Sequence, residues 1–193
     1  MWKPIAVLIV LVCCISGAET VGATTFEARD FDALASEADQ VVIGTAAASS
    51  SRRTGAREIV TDYRFDDVEI VKGTAPAGSL TLTMLGGTVG SESLTVPGAP
   101  TFKRGIRYLV FITGNGSVMF PLVGGHQGIF QIRTNAASGV ARVHDYAGRP
   151  VTRLSGRASR ELADRAGVDA GEPMTQEAFV DAIRNKVAAT GAR

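Results

Sequence analysis

The hydrophobic positions of this chain fall mostly into short alternating or continuous runs punctuated by glycine, a pattern of strands and tight turns. The most apolar run, Arg104 to Thr113, carries Ile106, Tyr108, Leu109, Val110, Phe111 and Ile112 between Gly105 and Gly114. β-branched and aromatic residues dominate it, which predicts a strand buried on both faces at the centre of an all-β domain. Before it, Gln40 to Ala48 predicts a first strand, with Gly44 marking a bulge. Glu58 to Lys72 alternates over its whole length. Ile59, Thr61, Tyr63 and Phe65 share one face, and the phase then slips to Val68 and Ile70. A slip of one residue exchanges the two faces, so a bulge and bend are expected at Asp66-Asp67. Ser79 to Met84 alternates cleanly, with Leu80, Leu82 and Met84 inward.

The polar stretches between these runs predict the connections. Ser49 to Arg57 reads as a solvated loop, and Leu85 to Thr101 as a long loop with a short edge strand near Ser93 to Val96. Gly114-Asn115-Gly116 is a hairpin signal from which Ser117 to Val123 returns as a strand, at an edge or a bulge because of Pro121. Gly124 to Gly128 reads as a tight reversal, and Ile129 to Arg133 as the next strand. Val140 to Tyr146 and Arg149 to Leu154 predict a hairpin around Ala147-Gly148.

Helical spacing is present near both ends. Phe31, Leu34, Ala35 and Ala38 form one face of a short helix with Asp30 as its N-cap and Asp32 in its first turn. Phe179, Val180, Ile183 and Val187 form the face of a helix over Thr175 to Ala189, capped by Thr175 and expected to dock on the β-domain. A thinner pattern allows a further helix from Arg157 to Ala166.

The first residues are patterned for export. Lys3 precedes an unbroken apolar run, Ile5 to Ile15, and small residues follow at Ser16-Gly17-Ala18 and Val21-Gly22-Ala23. This is the layout of a signal peptide cleaved near Ala18 or Ala23, and its apolar run is short for a membrane span. The expected organisation is a signal peptide at 1–23, a β-barrel domain with its N-terminal helix at 24–154, and a helical extension at 155–193. A secreted or periplasmic protein with no stable membrane span follows. Cys13 and Cys14, the chain's two cysteines, leave with the signal, so no disulfide is expected in the mature domain. The charge balance, 20 basic against 19 acidic residues, argues against a nucleic-acid partner.

No catalytic pattern emerges. The two histidines, His126 and His144, lie in different elements without metal-ligand spacing, and no metal or other cofactor is expected. Asp62, Asp66, Asp67 and Glu69 lack calcium-loop spacing and read as a solvated strand face. There is no Gly-x-Ser-x-Gly, and Gly86 to Gly90 lacks the Lys-Ser/Thr of a phosphate loop. The candidate partner-binding residues are Arg52, Arg53 and Arg57, Glu92 in the long glycine-rich loop, and His126 in its tight loop.

The order of the strand motifs resembles a known family. Ala38-Asp39-Gln40-Val41-Val42-Ile43-Gly44-Thr45 opens it, Val68-Glu69-Ile70-Val71-Lys72-Gly73 closes the long strand, and Phe102 to Phe111 carries Gly105-Ile106-Arg107-Tyr108-Leu109. This series is similar to the netrin-like (NTR) domains and the N-terminal domain of the tissue inhibitors of metalloproteinases, over about Ala38 to Ile132. It also resembles bacterial exported proteins of the same layout. The resemblance implies a mainly β fold, an OB-type five-stranded barrel with an extra β-hairpin and flanking helices. It implies a binding module and not an enzyme, with an exported metalloprotease as the partner to expect. The inhibitors' zinc-chelating N-terminal cysteine and their disulfides have no counterpart here, so contact would fall to the mature N-terminus or to the loops Ser49–Arg57 and Gly86–Pro100. An envelope- or carbohydrate-binding OB-type domain is the alternative.

Overall fold

The computed structural model describes residues 28–74, 78–154 and 171–191. The expected signal peptide and the expected helix at Arg157 to Ala166 lie outside the described residues. The elements in chain order are α1 (Phe31–Glu37), β1 (Gln40–Arg53), β2 (Ile59–Lys72), β3 (Gly78–Leu85), β4 (Gly87–Val89), β5 (Glu92–Leu94), β6 (Arg107–Ile112), β7 (Ile129–Thr134), β8 (Ala141–Asp145) and α2 (Gln176–Gly191). A short 3-10 turn, Gly125–Gly128, leads into β7.

The chain is mainly β. Six strands form an antiparallel sheet in the order β3-β2-β1-β6-β7-β8, and β4 and β5 form a separate two-stranded hairpin. The run expected to be central is β6, and it shares the middle of the sheet with β1. Strands β3 and β8 end the sheet and are not paired with each other, so strand pairing alone does not close a barrel. The free edge of β3 is met instead by the segment leaving β6. Leu85 donates its N–H to the Met119 carbonyl at 3.0 Å, and the Asn115 side chain donates to the Thr81 carbonyl at 2.9 Å. The edge of β8 is met by Met174, whose carbonyl accepts the Val143 N–H at 2.9 Å.

Both faces of the sheet bury apolar side chains, for different reasons. On one face α1 and α2 lay Phe31, Leu34, Phe179 and Ile183 against Val41, Ile43, Phe111, Phe130 and Val143. Asp30 caps α1 by accepting the Ala33 N–H at 2.8 Å, and Thr175 caps α2 by accepting the Ala178 N–H at 3.2 Å. Among the described residues the other face has no helix. Val42, Phe65, Leu80, Leu82, Tyr108 and Val110 are covered there by Phe102 and Leu122, which come from connecting segments. Phe102 meets Phe65, Tyr63 and Tyr108 edge-on, with ring centroids 4.9, 5.2 and 5.1 Å apart, an arrangement that favours aromatic rings beyond simple burial.

The two predicted bulges are one feature. Thr45 pairs with Asp66 and Ile43 with Glu69, so Asp67 and Val68 of β2 stand opposite Gly44 alone. Asp67 adopts a positive φ of 52°, and a Cβ on Gly44 would lie 3.2 Å from the Phe65 Cβ. The small residue lets the bent strand pass close.

Four expectations are corrected. Residues Ser49 to Arg53, read as loop, continue β1, because their backbone pairs with Ile59 to Tyr63 of β2; strand pairing overrides a polar, small-residue composition. The loop proper is 54–58. Ser117 to Val123 is not a strand and keeps a single bridge, Leu122 to Ile112, since Pro121 offers no N–H and Gly114 and Gly116 hold positive φ. The strand expected inside the long loop is β5, but it pairs with β4 and not with the main sheet. Likewise, 149–154 returns alongside β8 through isolated bonds, such as Val151 N–H to the Val143 carbonyl at 3.0 Å, without forming a strand.

Candidate functional site

The first candidate region is the far end of the β1–β2 ribbon. Beyond Thr45, β1 has no strand among the described residues on the edge away from β2, because β6 pairs only with Gln40 to Thr45. Four of the five expected contact residues meet there. Arg52 donates from Nε to Asp62 Oδ2 at 2.7 Å, and Thr83 Oγ1 donates to Asp62 Oδ1 at 2.7 Å. Arg53 forms an ion pair with Glu92 of β5, which ties the β4–β5 hairpin to the ribbon. Arg57 is exposed in the loop between β1 and β2. The hydrogen bond from Arg52 holds the Asp62 carboxyl below the usual carboxylate range, so this end of the ribbon carries fixed charges of both signs.

Beneath the β4–β5 hairpin lies a cleft of about 330 Å³, lined by Thr61, Tyr63, Met84, Leu94, Val96 and Pro100 among others. Its floor is polar and satisfied. Thr61, 9% exposed, donates its hydroxyl to the Gly86 carbonyl at 2.7 Å and lies 2.9 Å from Ser51 Oγ. Gly87 makes this approach possible: its φ is 136°, and a Cβ there would sit 2.4 Å from both hydroxyl oxygens.

The second candidate region lies at the other end of the helix-free face. A cleft of about 440 Å³ is lined by Thr101, Lys103, Ile106, Tyr108, Gln131, Arg133, Tyr146 and Ala147. Sheet register builds it. Tyr108 of β6 stands opposite Gln131 of β7, and Gln131 opposite His144 of β8. Tyr108 is 2% exposed, and its hydroxyl accepts the Lys103 backbone N–H at 3.0 Å. Gln131 donates to the Tyr146 carbonyl at 3.0 Å and accepts from Arg133 at 2.9 Å. Burial, opposed by the Lys103 N–H and aided by the neighbouring Tyr146, pushes the Tyr108 phenol up from its ordinary value, and a phenol is protonated and able to donate at neutral pH. Burial, reinforced by the positive charge of Arg133 and opposed by the Arg142 backbone and Asp145, pushes His144 down and favours its neutral form.

His126, the fifth expected contact residue, is separated from the arginines. It lies in the 3-10 turn before β7 with its ring 6.0 Å from that of Tyr146. It therefore belongs beside the second cleft, which sequence reasoning did not find. The signal for that cleft was present in β7, where polar Gln131 and Arg133 alternate with buried Phe130 and Ile132. Among the described residues neither cleft is lined by a carboxylate. Among the described residues no group of three or more His, Cys, Asp or Glu side chains is placed to hold a metal ion, and no helix is long and apolar enough to cross a membrane.

Comparison of the chain with protein-family models, with curated proteins and with solved structures finds no match.

Proposed function

We propose that this chain is an exported, non-catalytic binding module of netrin-like, OB type, and that the projecting β1–β2 ribbon is where it meets a protein partner. The observation that carries the reading is the half-paired β1: from Ala47 to Arg53 it has β2 on one edge and, among the described residues, no strand on the other. An open edge is a template for an extended segment of another chain, with the backbone supplying affinity and the flanking side chains selectivity. Arg53, Arg57 and Glu92 lie beside that edge, and the cleft beneath the β4–β5 hairpin is within the same end of the molecule. The resemblance in strand order names an exported metalloprotease as the class of partner.

The test is binding and inhibition measured with the purified chain against a panel of secreted metalloproteases, with cross-links mapped on the complex. Cross-links confined to 47–58 and a loss of roughly tenfold in affinity for Arg57→Glu support the ribbon as the contact. Cross-links elsewhere, or an unchanged affinity, remove it. A panel with no binder removes the metalloprotease. A second reading, an envelope-carbohydrate binder, is favoured by Tyr146 and Gln131 lining the second cleft; silence on a glycan array counts against it.

A further inference from the structure

We infer that the second cleft is a binding site for an oxyanion, a phosphate or carboxylate group carried on a small polar molecule. The inference does not depend on the ribbon's role. It sharpens the carbohydrate reading by fixing the sign of the ligand's charge.

The chemistry of the lining points one way. Lys103 is exposed at the rim, and its ammonium has no partner among the described residues. Arg133 is exposed on the same cleft and spends one of its N–H groups on Gln131. The Tyr108 hydroxyl accepts from the Lys103 backbone but has no acceptor for its own proton among the described residues, although the residue is 2% exposed. A buried hydroxyl ordinarily finds an acceptor, so this proton is free to be donated to a bound group. Two cationic side chains and a phenol O–H thus line a cleft of about 440 Å³ that, among the described residues, no Asp or Glu lines. A group of donors without an anionic acceptor is satisfied by an oxyanion, and hydrogen bonds between such partners are the stronger, charge-assisted kind.

The position is built, not incidental. Register sets Tyr108 beside Gln131, and Gln131 in turn holds both Arg133 and the Tyr146 carbonyl. Arg133 also lies against Gly148, where a Cβ would come within 2.6 Å of its Nη2, so the turn after β8 fixes the guanidinium's path. The Tyr146 hydroxyl accepts the Thr101 N–H at 3.0 Å, which closes the cleft's rim from the opposite loop.

The experiment is a titration of the full chain, at low salt, with inorganic phosphate, glucuronate, glucose 6-phosphate and neutral glucose, followed by amide NMR shifts. The expected result is saturable shifts at Lys103, Tyr108, Arg133 and Ala147 with the three anions, weakened by added salt, and none with glucose. Lys103→Met with Arg133→Gln should weaken anion binding by roughly tenfold or more, while the dispersion of the remaining spectrum stays as in the parent. Tyr108→Phe, which keeps the ring, should weaken it less and test the phenol separately. Shifts from glucose equal to those from glucose 6-phosphate overturn the anion assignment while leaving the carbohydrate reading in place. Shifts by anions spread evenly over all exposed arginines, or absent from these residues, overturn the site.

Discussion

The two halves of β1 show what decides a residue's role in this fold. Val41, Val42 and Ile43 are fully buried, paired to β2 on one side and β6 on the other, with helices above one face. Ser49, Ser50, Arg52 and Arg53 lie on the same strand and pair with the same β2, yet all are exposed. The difference is the missing second neighbour. Once β6 ends its pairing at Thr45, β1 loses one edge partner and the cover of α1 and α2. The partner strand shows the converse. Ile59 and Val60, opposite Arg53 and Arg52, remain buried. The inner half of β1 holds the fold together, and the outer half presents it.

The sharpest test of that division is a pair of truncations on one strand. Ile43→Ala removes a fully buried side chain between Leu34, Leu109 and their neighbours, and is expected to cost about 2–5 kcal/mol. Ser49→Ala on the outer half is expected to stay within about 0.5 kcal/mol of the parent. Urea unfolding of both variants measures the contrast. Similar losses at the two positions would break it, because the outer half would then be structural after all.

The inner half is also anchored from outside the sheet. Lys72, at the end of β2, donates its ammonium to the carbonyls of Ala35 at 2.8 Å and Ala38 at 2.6 Å. These are groups at the C-terminal end of α1, where orphan carbonyls and the helix dipole both favour a cation. Lys72→Met keeps the aliphatic stem and removes the donors, and should cost about 1–3 kcal/mol. Hydrogen exchange should accelerate in α1 before it does in β6. Unchanged exchange in α1 would mean that the cap is idle and that apolar packing alone seats the helix.

How much of this was legible in the sequence follows the same division. The faces of α1 and α2, the alternation in β3 and the buried β6 were readable because periodicity and burial coincide there. The bulge at Asp66-Asp67 was readable because the phase of the apolar residues changes across it. The outer half of β1 was not. Ser49-Ser50-Ser51-Arg52-Arg53 has the composition of a loop, and its strand conformation comes from pairing with residues six to fourteen positions further along the chain. The separate β4–β5 hairpin was missed for a similar reason, since three-residue strands carry too little pattern. Among the candidate contact residues, Arg52, Arg53, Arg57 and Glu92 are brought to one end by this pairing, while His126 goes to the other. The second cleft was hidden because Tyr108, Gln131 and Arg133 come together through register, and Tyr108 reads as core from its neighbours.

The smallest expected effect concerns the outer half alone. Arg52 and Asp62 face each other across the ribbon, with Arg52 largely exposed, so Arg52→Ala should cost little at neutral pH. Its signature is in the pH dependence. The Asp62 carboxyl is lowered from 3.8, first by the hydrogen bond from Arg52 and, with burial opposing, also by Thr83. A carboxyl that is more acidic in the folded state stabilises the fold fully above its unfolded value, and the stabilisation is lost as pH falls through the folded value. The deficit of Arg52→Ala should therefore be present at pH 7 and shrink as the pH drops below 3.8, where Asp62 takes up a proton in the parent as well. Asp39, lowered first by the Gly114 N–H and then by the Thr113 hydroxyl at the inner end of β1, supplies a control whose acid dependence Arg52→Ala leaves intact. Urea unfolding of parent and variant across this range measures the difference. A deficit that grows on acidification would reverse the sign and show that Arg52 acts through a group other than Asp62.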